Sequence, residues 1–173
     1  MTTVTKLFDE DEISRRVAEL AAEIAGALPR DFMVVGLMKG SFVFVADLIR
    51  ALDRAGRMPA VEFIRLRSYG HGRESSGDVR LIGDVPESIA GRSVLLVDDI
   101  ADTGRSLARA RELLADAGAA GVWTCGLVDK PSRREVEFTP DFIGFTVDDV
   151  FVVGYGIDFA ESYRHLPYIG VVD

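Results

Sequence analysis

The most constraining feature of this chain is a strand-like apolar run that ends in acids and is followed at once by a helix-like segment. Residues Val94 to Leu107 read VLLVDDIADTGRSL. The run leads into Asp98 and Asp99, and Asp102 precedes the small residues that open the helix. A helix N-terminus offers N–H groups and partial positive charge to a phosphate, and acids bind a polyol or a metal ion. The segment predicts a sugar-phosphate site, while solvated acids at a strand end stay the alternative for Asp98 and Asp99 alone.

The same alternation of strands and helices extends through the central part of the chain. Apolar spacing predicts helices over 9–28, over 41–54 with Ser41 as the N-cap, and over 105–117. Short apolar or alternating runs predict strands over 32–37, 61–67, 94–97 and 122–128. This order predicts an α/β fold with a mainly parallel twisted sheet flanked by helices. Ligands of such sheets lie at the carboxyl ends of the strands, where Asp98 and Asp99 fall.

Composition limits which partners the chain can bind and where in the cell it is expected. The chain has 173 residues, enough for one compact domain, and a net charge of −8 without a compensating basic run, which argues against a nucleic-acid partner. No apolar run approaches the roughly 18 residues of a membrane helix, and the N-terminus does not read as a signal peptide. We therefore expect no membrane association and a cytoplasmic location. Cys125 lies in an apolar run and is interpreted as a buried strand residue, not a nucleophile.

The acidic segment contains neither a Walker phosphate loop nor a dinucleotide-binding glycine pattern. It resembles the ribose-phosphate motif of the type I phosphoribosyltransferases. Further segments resemble the hypoxanthine (6-oxopurine) branch of that family: VVGLMKGSFVFVADLIR (34–50), RSYG (67–70), LVDKPSRR (127–134) and DDVFVVGYGIDFAESYRHLPYIGVV (148–172). The resemblance implies the type I fold in one domain, 1–173, with a core at about 30–145 and a small hood lobe formed by about 146–173 and N-terminal residues.

The resemblance also implies a reaction. It is the Mg²⁺-dependent transfer of 5-phosphoribosyl from phosphoribosyl pyrophosphate (PRPP) to hypoxanthine, and to guanine as well, giving IMP or GMP and pyrophosphate in purine salvage. A homodimer or homotetramer is implied too. A xanthine- or guanine-preferring relative is one alternative. A non-catalytic PRPP-sensing regulator is another, although the acidic charge and the joint presence of Asp102, Lys130 and Asp158 argue against it.

By this resemblance the central motif binds the sugar phosphate. Asp98 and Asp99 would bind the ribose hydroxyls, directly or through Mg²⁺, which prefers oxygen ligands. Asp102 would act as the general base or acid at purine N7. The 5′-phosphate would be bound mostly by backbone N–H groups of Thr103, Gly104, Arg105 and Ser106.

The resemblance assigns the pyrophosphate to two other segments. Lys39 and Gly40, which alone would be interpreted as a surface turn, would bind it through backbone amides after a non-proline cis peptide between Met38 and Lys39. Arg164 would contact it with its guanidinium group. Asp158 would hold a Mg²⁺ ion that also binds pyrophosphate.

The purine is assigned to Lys130, Phe151 and Val152. Without the resemblance, Lys130 is interpreted as a solvated lysine and the other two as core residues. With it, Lys130 donates to the 6-oxo group and disfavours adenine, Phe151 stacks on the ring, and Val152 offers backbone groups to its edge. The polar segment 68–78 is either a surface hairpin loop or a mobile lid, and the resemblance places Ser68 and Tyr69 at the tip of such a lid.

Overall fold

The computed structural model describes residues 3–69 and 78–173. Its strands are β1 (Val4–Phe8), β2 (Phe32–Met38), β3 (Ala60–Tyr69), β4 (Asp78–Ile82), β5 (Ser93–Ala101), β6 (Gly121–Asp129), β7 (Phe142–Thr146), β8 (Val152–Val153) and β9 (Ile169–Val172). Its α-helices are α1 (Glu10–Ala27), α2 (Phe42–Arg54) and α3 (Arg105–Asp116), and short 3₁₀ turns span Glu87–Ile89 and Pro131–Arg133. None of these helices has the length and apolar character needed to cross a membrane.

The main sheet has six strands in the order β4-β3-β2-β5-β6-β7. Every neighbouring pair is parallel except β3 and β4, which are antiparallel at one edge. The central strands are apolar runs because helices cover both of their faces. The predicted α/β fold with a mainly parallel sheet is confirmed.

The helices divide between the two faces of this sheet. Alternate strand residues such as Val34 and Leu95 pack into one buried cluster with α1 and α2. Their neighbours Val35 and Leu96 pack into a second cluster with α3. Because strand side chains alternate in direction, each central strand contributes to both layers.

A second, three-stranded antiparallel sheet has the order β1-β9-β8. Val4 near the start of the described chain pairs with Val172 near its end, and Val152 of β8 pairs with Val171. This sheet unites N-terminal and C-terminal residues, as the implied hood requires. The division of residues 1–173 into a core and a hood stays a prediction.

Three local features differ from the sequence predictions. Ser41 precedes α2, but its hydroxyl does not cap the helix and instead donates to the carbonyl of Leu37 at 2.7 Å. Strand β5 continues through Ala101, so the acids predicted to follow it lie inside it. Strand β4 was not predicted, because its first residue, Asp78, belongs to the polar segment and only four residues follow before the next turn.

The predicted lid segment is also corrected at its ends. Ser68 and Tyr69 belong to β3, where they pair with Val79 and Asp78 of β4. The antiparallel pairing extends the strand beyond the predicted end at Arg67. Residues 70–77, which include the rest of the predicted lid, lie outside the described residues.

Candidate active site

Two half-buried carboxylates occupy the carboxyl end of β5. Asp98 Oδ1 accepts a hydrogen bond from the Asp99 N–H, and Asp99 Oδ1 accepts one from the Ile100 N–H, both at 2.8 Å. Burial and the adjacent Asp99 raise the pKa of Asp98 well above its usual range, and burial also raises the pKa of Asp99. Two crowded acids of this kind are stabilised by a cation or by hydroxyl donors.

A tight turn joins β5 to α3. Gly104 has φ +86 and immediately precedes α3, and a Cβ there would lie 2.9 Å from Cδ of Arg134. The turn lines a cleft of about 50 Å³ together with Asp102, Thr103 and Ser106. The side chain of Arg105 points elsewhere and pairs with Glu135 at 2.6 Å. The predicted phosphate-binding residues thus share one concave helix N-terminus, whose first N–H groups lack partners inside the helix.

The loop after β2 lies against the acids of β5. The Met38–Lys39 peptide is cis, as the resemblance implies. A Cβ on Gly40 would lie 1.9 Å from Asp99 Oδ2. A Cβ on Gly156, whose φ is +92, would lie 2.7 Å from the Gly40 carbonyl oxygen. Glycines therefore permit the β2 loop, the acids of β5 and the C-terminal segment to meet at one place.

The predicted pyrophosphate ligands Lys39 and Arg164 converge at that place. Arg164 donates to the Gly156 carbonyl at 2.7 Å and pairs with Asp158 at 3.1 Å. The two oxygens of Glu161 pair with Lys39 and, at 3.3 Å, with Arg164. Sequence reasoning assigned no role to Glu161, although it lies in the C-terminal motif between Asp158 and Arg164.

The acids near this place suit one type of cation. Within residues 3–69 and 78–173, no cluster of three or more histidine, cysteine or acidic side chains forms a metal site on its own. Asp98 and Asp99 form one acidic position and Asp158 another. Mg²⁺ typically takes one or two carboxylates together with substrate oxygens and water, so this donor set fits Mg²⁺ bound jointly with a substrate.

Lys130 follows β6 and faces an aromatic side chain. It is only 6% exposed, and burial lowers its pKa. Its Nζ lies 5.9 Å from the ring centroid of Phe151. Phe151 is half exposed and meets Phe159 edge to face at 5.2 Å between centroids. A buried ammonium beside an accessible aromatic face suits a flat, polar-edged ring.

Val152 presents backbone groups at the open side of the three-stranded sheet. The Val172 N–H donates to the Phe151 carbonyl at 2.9 Å. Phe151 and Val172 therefore form a hydrogen-bonded pair. Hydrogen-bonded and non-hydrogen-bonded pairs alternate along antiparallel strands, so the next pair, Val152 and Val171, is not hydrogen-bonded. Because β8 is an edge strand, the N–H and C=O of Val152 point away from β9, even though its side chain is buried.

Two consecutive arginines contact the turn after β5, and sequence reasoning gave neither a role. Arg133 donates through Nε to Asp102 Oδ1 at 2.8 Å and pairs with Asp149 at 3.2 Å. Arg134 donates to the carbonyls of Ala101 and Asp102. The available signal was the arginine pair that ends LVDKPSRR.

A larger cavity of about 820 Å³ lies elsewhere, between α1, α2 and residues 155–167. Of the residues predicted for the site, Arg164 alone lines it. The predicted residues therefore gather at the carboxyl edge of the main sheet and not in this cavity.

Comparisons with known proteins agree with this arrangement. The family model described as "Phosphoribosyl transferase domain" matches residues 3–160. A hypoxanthine phosphoribosyltransferase of Escherichia coli (strain K12) is 45% identical over 173 residues, covering 98% of this chain and 96% of that protein. A hypoxanthine-guanine phosphoribosyltransferase of Bacillus subtilis (strain 168) is 42% identical, covering 96% of this chain and 91% of the relative.

Solved structures give the same result for the fold. A crystal structure of a hypoxanthine phosphoribosyltransferase from Staphylococcus aureus matches with a TM-score of 0.90 and 36% identity, covering 97% of this chain and 90% of that one. With the sequence match over most of its length and the sheet order described above, this chain belongs to the phosphoribosyl transferase family and has the type I fold.

Proposed function

We propose that this chain is a purine-salvage enzyme that transfers 5-phosphoribosyl from PRPP to hypoxanthine, and also to guanine. One observation carries the proposal: the acid-and-phosphate turn after β5 contacts both the buried lysine, Lys130, whose N–H donates to the Ala101 carbonyl, and the Lys39–Gly40 loop, where a Cβ on Gly40 would meet Asp99. The relatives named for hypoxanthine or for hypoxanthine and guanine support it.

The donor, PRPP, is assigned to the β5 turn and the β2 loop. Asp98 and Asp99 hold the ribose hydroxyls. The N–H groups of residues 103–106 bind the 5′-phosphate at the N-terminus of α3. Lys39, the Gly40 amide and Arg164 bind the pyrophosphate, which then replaces Glu161 as the partner of both cations.

The acceptor is assigned to the space between Lys130 and Phe151. The Lys130 ammonium donates to O6 of a 6-oxopurine and opposes the 6-amino group of adenine. Phe151 stacks on the ring, and the outward backbone groups of Val152 meet its edge. A site built around such a polar contact rejects the wrong base more strongly than an apolar pocket does.

The proposed chemistry is a displacement at ribose C1′. Purine N9 forms the new bond to C1′ while the bond from C1′ to the pyrophosphate oxygen breaks, and its electron pair leaves with pyrophosphate. Asp102 takes the proton from N7. Arg133 donates to Asp102 Oδ1, which leaves Oδ2 for the purine. Positioning and charge stabilisation supply most of the acceleration.

We propose Mg²⁺ as the cofactor because the acidic positions suit it. Asp98, Asp99 and Asp158 would hold it. When bound, it neutralises charge on the pyrophosphate and orients it.

A base panel tests the activity. The chain is incubated with PRPP, Mg²⁺ and hypoxanthine, guanine, xanthine or adenine, and nucleotide and pyrophosphate are measured. We expect rapid IMP and GMP formation and very slow AMP formation. A preference for xanthine would support the xanthine-preferring alternative, comparable turnover of adenine would contradict the role of Lys130, and no turnover of any base would favour the non-catalytic regulator.

Two variants test the roles of the charged residues. Asp102→Asn should lower kcat about 10²- to 10⁴-fold while PRPP binding is largely kept. Asp116→Asn, at the exposed opposite end of α3, is its control. Lys130→Ala should raise KM for hypoxanthine and reduce discrimination against adenine, whereas Lys6→Ala, at an exposed lysine of β1, should do neither.

Four further assignments stay proposals. A homodimer or homotetramer, a hood lobe and a mobile lid with Ser68 and Tyr69 at its tip rest on the family resemblance, and a cytoplasmic location rests on the composition. Light scattering on the purified chain tests the first, and a monomer would contradict it.

A further inference from the structure

A buried arginine lies directly behind the proposed sugar-phosphate turn. The side chain of Arg134 is 15% exposed and pairs at 2.6 Å with Asp129, whose side chain is 5% exposed. Its NH1 group donates to the carbonyl oxygens of Ala101 and Asp102 at 3.1 and 2.8 Å. One guanidinium group therefore connects the end of β6 to the backbone of the β5 turn.

Neighbouring backbone contacts extend this connection along the whole turn. The Glu135 N–H donates to the Thr103 carbonyl at 2.9 Å. Cδ of Arg134 occupies the space beside Gly104, where a Cβ would approach to 2.9 Å. The four residues from 101 to 104 are thus all in contact with Arg134 or the residue after it.

The geometry requires an arginine. A planar guanidinium group presents several donors in a fixed arrangement, so it serves two carbonyls and a carboxylate at once, whereas an ammonium is a single point of charge. Because Asp129 and Arg134 are both largely buried, each needs the other as a partner. The pair gives the turn a fixed, charge-balanced support.

The same support joins the turn to the proposed purine site. The Ala101 carbonyl accepts from the Lys130 N–H at 2.9 Å as well as from Arg134. Arg134 also donates to the next carbonyl, that of Asp102. Lys130, the residue proposed to select the base, and the backbone of Asp102 are therefore held by two adjacent carbonyl groups.

From these contacts we infer that Arg134 is a positioning residue for the reaction, which rests on the proposed function. It touches no substrate. It fixes the backbone of Asp102 relative to Lys130 and thereby sets where the proton-accepting carboxylate meets the purine. Misplacement of about 1 Å at a reacting group lowers rates about 10²-fold, so losing Arg134 should reduce kcat.

The experiment compares Arg134→Lys and Arg134→Gln with a matched control, Arg16→Gln. Arg16 also donates to two backbone carbonyls, those of Ile143 and Gly144 at 2.7 Å, and pairs with acids, but it lies on α1 away from the turn. Each protein is assayed for IMP formation at varied hypoxanthine and PRPP, and its thermal unfolding is measured.

We expect Arg134→Gln to lower kcat about 10- to 100-fold with both KM values within about threefold, since the backbone bonds from Lys130 to Ala101 and from Glu135 to Thr103 still hold the binding groups and only Asp102 loses its support. Arg16→Gln should lower the unfolding temperature and leave kcat unchanged. Arg134→Lys keeps a cation beside Asp129 and is the variant more certain to fold, yet it should also lose at least about tenfold in kcat.

The outcomes distinguish a failure of the proposed function from a failure of the positioning role of Arg134. If the unmodified chain turns over no base, the proposed function fails. If the unmodified chain is active and folded Arg134→Lys has the same kcat, the positioning role is refuted and Arg134 is purely structural.

Discussion

Gly40 provides the sharpest test of how closely the β2 loop must approach the acids of β5. A Cβ at this position would lie 1.9 Å from Asp99 Oδ2 and 2.5 Å from its Cγ, while Cβ contacts in proteins essentially never fall below 3.0 Å. Gly40→Ala therefore requires a movement of about 1.1 Å. Asp99 is held on its other side by the Ile100 N–H, so the movement is shared between the carboxylate and the loop.

The expected magnitude follows from that distance. Displacing a reacting or binding group by about 1 Å costs about 10²-fold in rate, which equals about 2.7 kcal/mol of transition-state stabilisation. We expect Gly40→Ala to lower kcat/KM for PRPP by about this factor. The added methyl should lower the free energy of unfolding by only about 1–3 kcal/mol, the usual range for overpacking.

A second glycine offers a matched control. Gly26 lies near the end of α1, and a Cβ there would meet nothing within 4 Å. Gly26→Ala should leave kcat/KM unchanged and raise the free energy of unfolding by about 0.5–1 kcal/mol, because alanine loses less conformational freedom in a helix.

The assay is the initial rate of IMP formation at varied PRPP, with denaturant unfolding of the same preparations. If Gly40→Ala is folded and its kcat/KM lies within threefold of the unmodified chain, the close approach of the loop to Asp99 does not matter for function.

Two further predictions concern other parts of the chain. Cys125 is buried, and burial raises the pKa of its thiol. Iodoacetamide at mildly alkaline pH should therefore leave the folded chain unmodified and alkylate it only after unfolding, as measured by mass spectrometry. Rapid alkylation of the folded protein would contradict this. Glu161→Gln removes the acid that pairs with Lys39 and Arg164, so inhibition by pyrophosphate should become about two- to fivefold tighter, a small effect because an exposed carboxylate contributes little to an ion pair; unchanged or weaker inhibition would show that Glu161 does not compete.

The parts of the fold that sequence predicted were those with strong local patterns. The apolar spacing of α1 and α3 placed both helices within a residue or two of their observed ends. The runs that became β2 and β6 were apolar because both faces of a central parallel strand are buried. Local periodicity reports burial directly, so these elements needed no tertiary information.

The features that sequence missed depend on contacts and backbone conformation that the residue pattern of a single element does not report. The length of β3 and the existence of β4 follow from their antiparallel pairing, which no local pattern in Ser68 or Tyr69 indicates. The hydroxyl of Ser41 donates to the Leu37 carbonyl and accepts no helix N–H, because Ser41 has φ −81 and ψ −6 and lacks the extended backbone of a capping residue. In each case the observed backbone differs from the one that the local pattern favours.

The candidate site shows the same division. Asp98, Asp99 and the turn up to Ser106 are contiguous, so a single segment predicted them together. The role of Arg134 needs three contacts, with Asp129 at one strand end and with two carbonyls at another. Every residue type has a backbone carbonyl, so the residues that Arg134 contacts need no particular side chain. The sequence pattern therefore does not indicate which residues Arg134 holds.

Charge pairing explains how an acidic chain accommodates a polyanion. The net charge is −8, and the proposed pyrophosphate ligands Lys39 and Arg164 are already paired with acids. Glu161 is 63% exposed in its side chain, and exposed carboxylates contribute little free energy to an ion pair, so we expect a pyrophosphate group to displace it at small cost. The buried pair of Arg134 and Asp129 is the opposite case, because breaking it would leave an unpaired charge inside the protein. We therefore expect the pairs of Glu161 to exchange partners when pyrophosphate binds, and the buried pair of Arg134 and Asp129 to keep the turn in place while they do.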